Sequence, residues 1–297
     1  LFVTPLDGAA LACITLKNQS PMERMMEVCS YLEPALASQR DDEAHPAFQN
    51  LFIRTERMQR CGVQALRRSR EPEEAPRRLW HMMATNATLT MVRVQTDRTA
   101  FLGRGRTFHA PRALELPISA TADALGDMIE PCLSLRGQFV LPPNGQLQFV
   151  FSTLMPGVND KASAFLERYG QVDGALRLYE PALTQGLVTA RYLGLTPSMQ
   201  AGVSRLVGAL AYTGQPMQSR YAAENTLPVS GLWSLGISGD LPILLLECEE
   251  TKDLSLVNLL LKAHAYYRMH GLWIDLVLVV TRPAGYGHPF RDRLSDM

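Results

Sequence analysis

Between Leu11 and Thr153 short apolar-rich runs alternate with turn-forming clusters, and this punctuation constrains the fold more than any other feature. The runs cover 11–17, a second run after the Asn18-Gln19-Ser20-Pro21 cluster up to about Leu32, then 50–56, 61–67, 79–84, 89–94, 133–141 and 146–153. Successive side chains of a strand point to opposite faces, so such runs need an apolar partner sheet. The stretch 22–36 also contains Met, Glu and Leu, which favour helix, but the turn cluster before it favours strand. Many short strands between turn signals predict antiparallel sheets packed face to face over residues 1–155. Pro142-Pro143-Asn144-Gly145 reads as a tight hairpin connection between the last two runs.

The pattern changes after Pro156-Gly157. Asn159 reads as the N-cap of a helix reaching Tyr169, and helical spacing also fits 172–187 and 197–212. Residues 156–235 therefore read as a helical connector. Residues 236–297 read as the start of an α/β-like region, with a strand at 243–248, a helix at 254–269 and a strand at 273–280. A strand-helix-strand unit of that length implies a parallel pair.

A chain of 297 residues with 46% hydrophobic content can bury a sizeable core. Its formal net charge of zero argues against nucleic-acid binding, which needs a basic excess. No apolar run approaches the ~18 to 20 residues of a membrane span, so no membrane contact by this segment is expected. The opening residues show no signal-peptide pattern and no initiator Met, and read as part of a longer polypeptide. Cys13, Cys29, Cys61, Cys132 and Cys248 are scattered without CxxC spacing, which favours individually packed, reduced thiols.

Two segments stand out as candidate sites. Thr96-Asp97-Arg98-Thr99-Ala100-Phe101-Leu102-Gly103-Arg104-Gly105-Arg106-Thr107 sets three arginines around two glycines. Glycine at 103 and 105 permits positive φ or close backbone approach, which predicts an ordered loop holding guanidinium forks. Gly236-Ile237-Ser238-Gly239-Asp240-Leu241-Pro242 turns a corner into the apolar run at 243–248. The two segments resemble the TDRxxFLGRGR and GISGDLP signatures of the glycoside hydrolase family 94 (formerly glycosyltransferase family 36) region in cyclic β-1,2-glucan synthases. Leu16-Lys17-Asn18-Gln19-Ser20, His45-Pro46-Ala47-Phe48, Leu51-Phe52-Ile53-Arg54-Thr55-Glu56 and Ala263-His264-Ala265-Tyr266-Tyr267-Arg268 match in the same order.

The resemblance implies an α+β chain: a mainly antiparallel β-supersandwich (galactose mutarotase-like), a helical connector and a short β-helix-β unit. It implies an internal, non-catalytic module of a multi-module inner-membrane enzyme, lying on the cytoplasmic side and itself soluble. Its expected partners are β-1,2-glucan or a related β-glucoside and other modules of the same polypeptide. The alternatives are the N-terminal part of a family 94 phosphorylase truncated before its catalytic acid, or a purely structural module. No segment resembles the barrel motif carrying that acid, and no catalytic residue, cofactor or metal is expected here.

Arg98, Arg104 and Arg106 are candidate donors to sugar hydroxyls or a phosphate. The plainer reading is that Arg98 and Arg106 pair with Asp97 or other carboxylates and fix the loop. Asp240 is a candidate sugar-hydroxyl acceptor, or else a turn residue bonded to its own backbone. Its corner matches neither the P-loop nor GxGxxG, and it lacks the arginine that catalytic relatives carry there. Trp233 is the candidate for stacking on a sugar ring, whereas Trp80 and Trp273 read as core. Glu247, Glu249 and Glu250 cluster at a strand end, most simply as a solvated edge.

Overall fold

The computed structural model describes residues 1–211, 224–248 and 254–280. In chain order its first elements are β1 (Phe2–Val3), β2 (Ala10–Lys17), β3 (Arg24–Cys29), α1 (Gln39–Ala44), α2 (Pro46–Asn50), β4 (Ile53–Gln59), β5 (Gly62–Arg67), β6 (Arg77–Thr85) and β7 (Leu89–Asp97). They are followed by α3 (Arg98–Leu102), α4 (Arg112–Glu115), β8 (Gly126–Asp127), β9 (Pro131–Leu141), β10 (Gln146–Leu154), α5 (Ala162–Tyr169) and α6 (Val172–Leu176). Last come α7 (Tyr179–Tyr192), α8 (Pro197–Ala211), β11 (Ile243–Cys248), α9 (Leu254–Met269) and β12 (Asp275–Val280). Two compact units, Leu1–Leu183 and Thr184–Met297, divide the chain within the stretch 156–235.

The first unit is a sandwich. A seven-stranded sheet in the order β1-β2-β10-β6-β5-β4-β8 faces a three-stranded sheet in the order β3-β9-β7. The ladders between these strands are antiparallel. Val63, Met83, Phe149 and Phe151 of the wide sheet share one buried layer with Val94, Leu133, Leu135 and Phe139 of the narrow one. Phe139 and Phe149 meet across it with ring centroids 4.7 Å apart. Each such side chain contributes roughly 1.5–3 kcal/mol on burial. The opposite face of the wide sheet is also covered: Trp80, Met82 and Val150 pack against Phe165, Tyr169 and Val172 of α5 and α6. Burial on both faces explains why β6 reads as an almost unbroken apolar run.

The turn at 142–145 does not make the expected hairpin. Its i-to-i+3 bond forms, from Gly145 N–H to Pro142 O at 3.1 Å, but β9 pairs only in the narrow sheet and β10 only in the wide one. The turn is a corner between sheets, because each strand has an apolar face that only opposite layers can satisfy together. The turn after β2 is a second such corner. Buried Asn18 ties the two corners together, donating its amide to Pro142 O at 3.0 Å and Met22 O at 2.7 Å.

Another expected cap is not formed. Lys161, not Asn159, precedes the first turn of α5 and gives no side-chain cap, while the Asp160 carboxylate accepts from Gly157 N–H at 2.7 Å. Asp7 holds α5 from outside instead. It accepts from Tyr169 OH at 2.8 Å and Arg168 at 2.6 Å.

In the second unit, Ala190, Leu195, Val203, Ala263, Tyr267 and Ile274 form a core shared by α7, α8, α9 and the approach to β12. The strands β11 and β12 are parallel, with Ile243 opposite Asp275 and Leu246 opposite Leu278. Trp273 is not core: it is 54% exposed and lies one residue before buried Ile274, with the Arg268 guanidinium 5.1 Å from its ring centroid. It lies in the irregular residues 272–274 before β12, not in the strand expected from 273, so no sheet face buries it.

His81 links the sandwich layers by hydrogen bonds. Its Nε2 lies 2.8 Å from Ser30 Oγ and its Nδ1 2.8 Å from Thr153 Oγ1. Burial lowers its pKa to about 4. The unfolded chain takes up that proton near pH 6.5, so stability is complete above 6.5 and declines as pH falls towards 4. We expect urea unfolding to show about 3 kcal/mol of such loss in the wild type, a slope that His81→Gln flattens. Equal pH slopes in the two proteins would contradict this assignment.

Candidate functional site

The arginine segment leaves the end of β7 as a capped helical turn rather than a simple loop. Asp97 Oδ1 accepts from Ala100 N–H at 3.1 Å and caps α3; among the described residues it does not pair with an arginine. Phe101 and Leu102 on this turn are buried with Cys132, against Cys29, Tyr31 and Ala113. Cys132 is fully buried, and that burial pushes its thiol up to about 12, as for a packed apolar group.

Arg98 bridges two carboxylates. Its Nε donates to Glu33 at 2.8 Å and its terminal nitrogen to Glu130 at 3.1 Å. Tyr31 OH also donates to Glu33, at 2.6 Å. The bond to Glu33 holds the guanidinium protonated more firmly than usual. Arg98, Glu33, Glu130, Asp42 and Asn50 line a cleft of about 440 Å³ between the strand ends and the α1–α2 segment. Beyond α3 the chain turns at Gly103, where φ is 84° and ψ 152°, a conformation open essentially to glycine. A Cβ there would also lie 2.8 Å from that of Arg112. Arg106 pairs with Glu115.

Arg104 differs from the other two. It is exposed between Gly103 and Gly105, and among the described residues its guanidinium has no ion pair or hydrogen bond. Phe108, four residues further on, is 59% exposed, its ring 5.2 Å from that of Tyr31. The excursion is thus pinned by two of its arginines and presents the third.

A further anchor was not singled out from sequence. Arg136 of β9 is only 6% exposed and donates to Ala113 O at 2.6 Å, Leu116 O at 2.8 Å and Glu27 of β3 at 2.8 Å. It fastens the returning limb of the excursion to the narrow sheet. A charged residue inside an apolar strand run was its available signal, since buried charge demands partners.

The second segment belongs to the other compact unit. Trp233 lies in a 3-10 turn, Val229–Leu235, 66% exposed, with its indole N–H donating to Ser238 O at 3.2 Å. Gly236 ends that turn with φ 75°. The hydroxyl of Ser238, rather than the Asp240 carboxylate, makes the local turn bond, accepting from Asp240 N–H at 3.2 Å. Asp240 is exposed. Glu247 is exposed at the end of β11; Glu249 and Glu250 lie outside the described residues. Cys13, Cys29, Cys61 and Cys132 carry free thiols.

Removing the anchor should loosen the excursion. Arg136→Met is expected to cost about 3 kcal/mol, because Glu27 loses its partner, and to speed trypsin cleavage after Arg104 and Arg106. Gly103→Ala should cost about 1–3 kcal/mol through backbone strain. Unchanged cleavage in a destabilised Arg136→Met protein would contradict the anchoring role.

Comparison with known proteins agrees with this architecture. The chain is 29% identical over 289 residues to the cyclic beta-(1,2)-glucan synthase NdvB of Rhizobium meliloti (strain 1021), covering 96% of this chain and 10% of that protein. It therefore spans about a tenth of the length of that relative. The family model for the glycosyl hydrolase 94 supersandwich domain matches residues 1–172, which include the whole two-sheet sandwich and the arginine excursion. The chain belongs to the glycosyl hydrolase 94 supersandwich family.

Proposed function

We propose that this chain is a non-catalytic, carbohydrate-associated module of a cyclic β-1,2-glucan synthase-like protein, guiding or scaffolding glucan. The observation carrying this reading is Arg104: an exposed guanidinium with no ion pair or hydrogen bond among the described residues, in an excursion whose neighbours Arg98 and Arg106 are tied to carboxylates. A fork of fixed donors suits vicinal hydroxyls. The name of the relative supports glucan as the ligand class. Trp233 and Asp240 are secondary contact candidates, one with an exposed ring face and the other with an exposed carboxylate. Other modules of the parent polypeptide would supply the chemistry at the cytoplasmic face of the inner membrane. No helix among the described residues is long and apolar enough to cross a membrane.

The pairing of Arg98 with Glu33 and Glu130 favours a second reading, in which the whole excursion is a structural staple. Titration separates the two. Each hydrogen bond to a neutral sugar contributes ~1 kcal/mol net, so the chain should bind β-1,2-glucan oligosaccharides only in the millimolar range. NMR titration should show shifts that include Arg104, lost in a folded Arg104→Ala variant, with no glucose 1-phosphate released when phosphate is added. Binding unaffected by the variant, or none at tens of millimolar, would leave the staple reading; phosphorolysis would make the chain an enzyme.

A further inference from the structure

The arginine excursion makes two successive turns. Arg106 N–H closes the first on Gly103 O at 3.3 Å, and Ala110 N–H closes the second on Thr107 O at 3.1 Å. Arg104 and Phe108 therefore occupy the same position, the second of four, in each turn. Four residues apart, their Cα atoms are separated by at most about 14 Å even along extended chain. A short oligosaccharide covers that span.

Phe108 is the outer member of an aromatic ladder. Its ring lies 5.2 Å from that of Tyr31, and Tyr31 lies 4.7 Å from Phe101. Phe101 is 4% exposed and belongs to the buried cluster under α3. Tyr31 is also fixed at its far end: its hydroxyl donates to Glu33 at 2.6 Å, and Glu33 accepts from Arg98 at 2.8 Å. Single exposed apolar side chains are common on protein surfaces and imply nothing by themselves. Phe108 differs because two rings and a carboxylate fix what lies behind it, while more than half of it stays open. A ring backed in this way has less freedom left to lose when a ligand stacks on it.

We propose that Phe108 is a stacking platform for one pyranose ring of a glucan whose hydroxyls Arg104 contacts. This rests on the reading of the chain as a glucan-associated module, and adds a second kind of contact to it. The face of an aromatic ring is negative. A β-glucopyranose carries its substituents equatorially, so its axial C–H bonds, H1, H3 and H5 on one face and H2 and H4 on the other, present weakly positive hydrogens to such a ring. The guanidinium then reads the hydroxylated rim of the sugar and Phe108 its apolar face.

NMR titration with β-1,2-glucan oligosaccharides reads this contact from the ligand side. With the wild-type chain, the axial protons of one pyranose face should move upfield, the mark of a ring current above them. In Phe108→Ala that shift should vanish and affinity should fall about two- to tenfold. Phe108→Tyr should keep both. Phe108→Leu, apolar but without a π face, should lose the upfield shift, with the amide spectrum of each variant showing that it remains folded. Binding that Arg104→Ala weakens but Phe108→Ala leaves unchanged, ligand shifts included, would overturn the platform and keep the glucan reading. No binding by the wild type at tens of millimolar would overturn both.

Discussion

The apolar layer between the two sheets forms only if strands in opposite layers turn their alternate residues inward together. That requirement explains the turns. Those after β2 and β9 carry the chain from one sheet to the other, and Asn18 binds the two corners side by side. The wide sheet then has a second face to cover, which α5 and α6 do with Phe165, Tyr169 and Val172. With both faces of the wide sheet engaged, variation is left to the sheet edges and the inter-strand excursions, where the arginine segment lies.

Within that segment the interactions are unequal. Arg98 and Arg106 make ion pairs with more than a third of each side chain exposed. Such pairs contribute only ~0–1 kcal/mol each, so they orient more than they stabilise. Arg136 is different: it is buried, its partners are two backbone carbonyls and a carboxylate, and losing it would strand all three. The excursion is therefore held from below by one buried cation and steadied at its surface by two exposed ones. Arg104 is left available because Gly103 and Gly105, both at positive φ, turn the chain on either side of it.

Much of the fold was legible because a strand with one buried face writes a two-residue period, and the parallel β11–β12 pair follows from its helical crossover. Which strands share a sheet was not legible. A Pro-Pro-Asn-Gly turn has the same local chemistry in a hairpin as at a corner, and only the distant partners of β9 and β10 distinguish them. The site was legible as a motif but not as a network. Four Glu-Pro pairs occur in the sequence, at 33–34, 71–72, 130–131 and 180–181. The antiparallel bridge between Leu32 and Leu133, together with the β7–β9 pairing of Asp97 with Pro131, brings the first and third of them to Arg98. Trp273 was misplaced for a related reason: an apolar run does not say where its strand begins, and β12 starts two residues later, at Asp275.

The central claim is that the arginine excursion is preorganised, with Arg104 held in place before any ligand arrives. Backbone ¹⁵N relaxation measured through residues 98–116 of the unliganded chain tests it directly. The account predicts order parameters near those of a rigid backbone, about 0.85, at Arg104 and its neighbours. Values below about 0.6 there, with rigid values in β7 and β9, would show a mobile loop and contradict it.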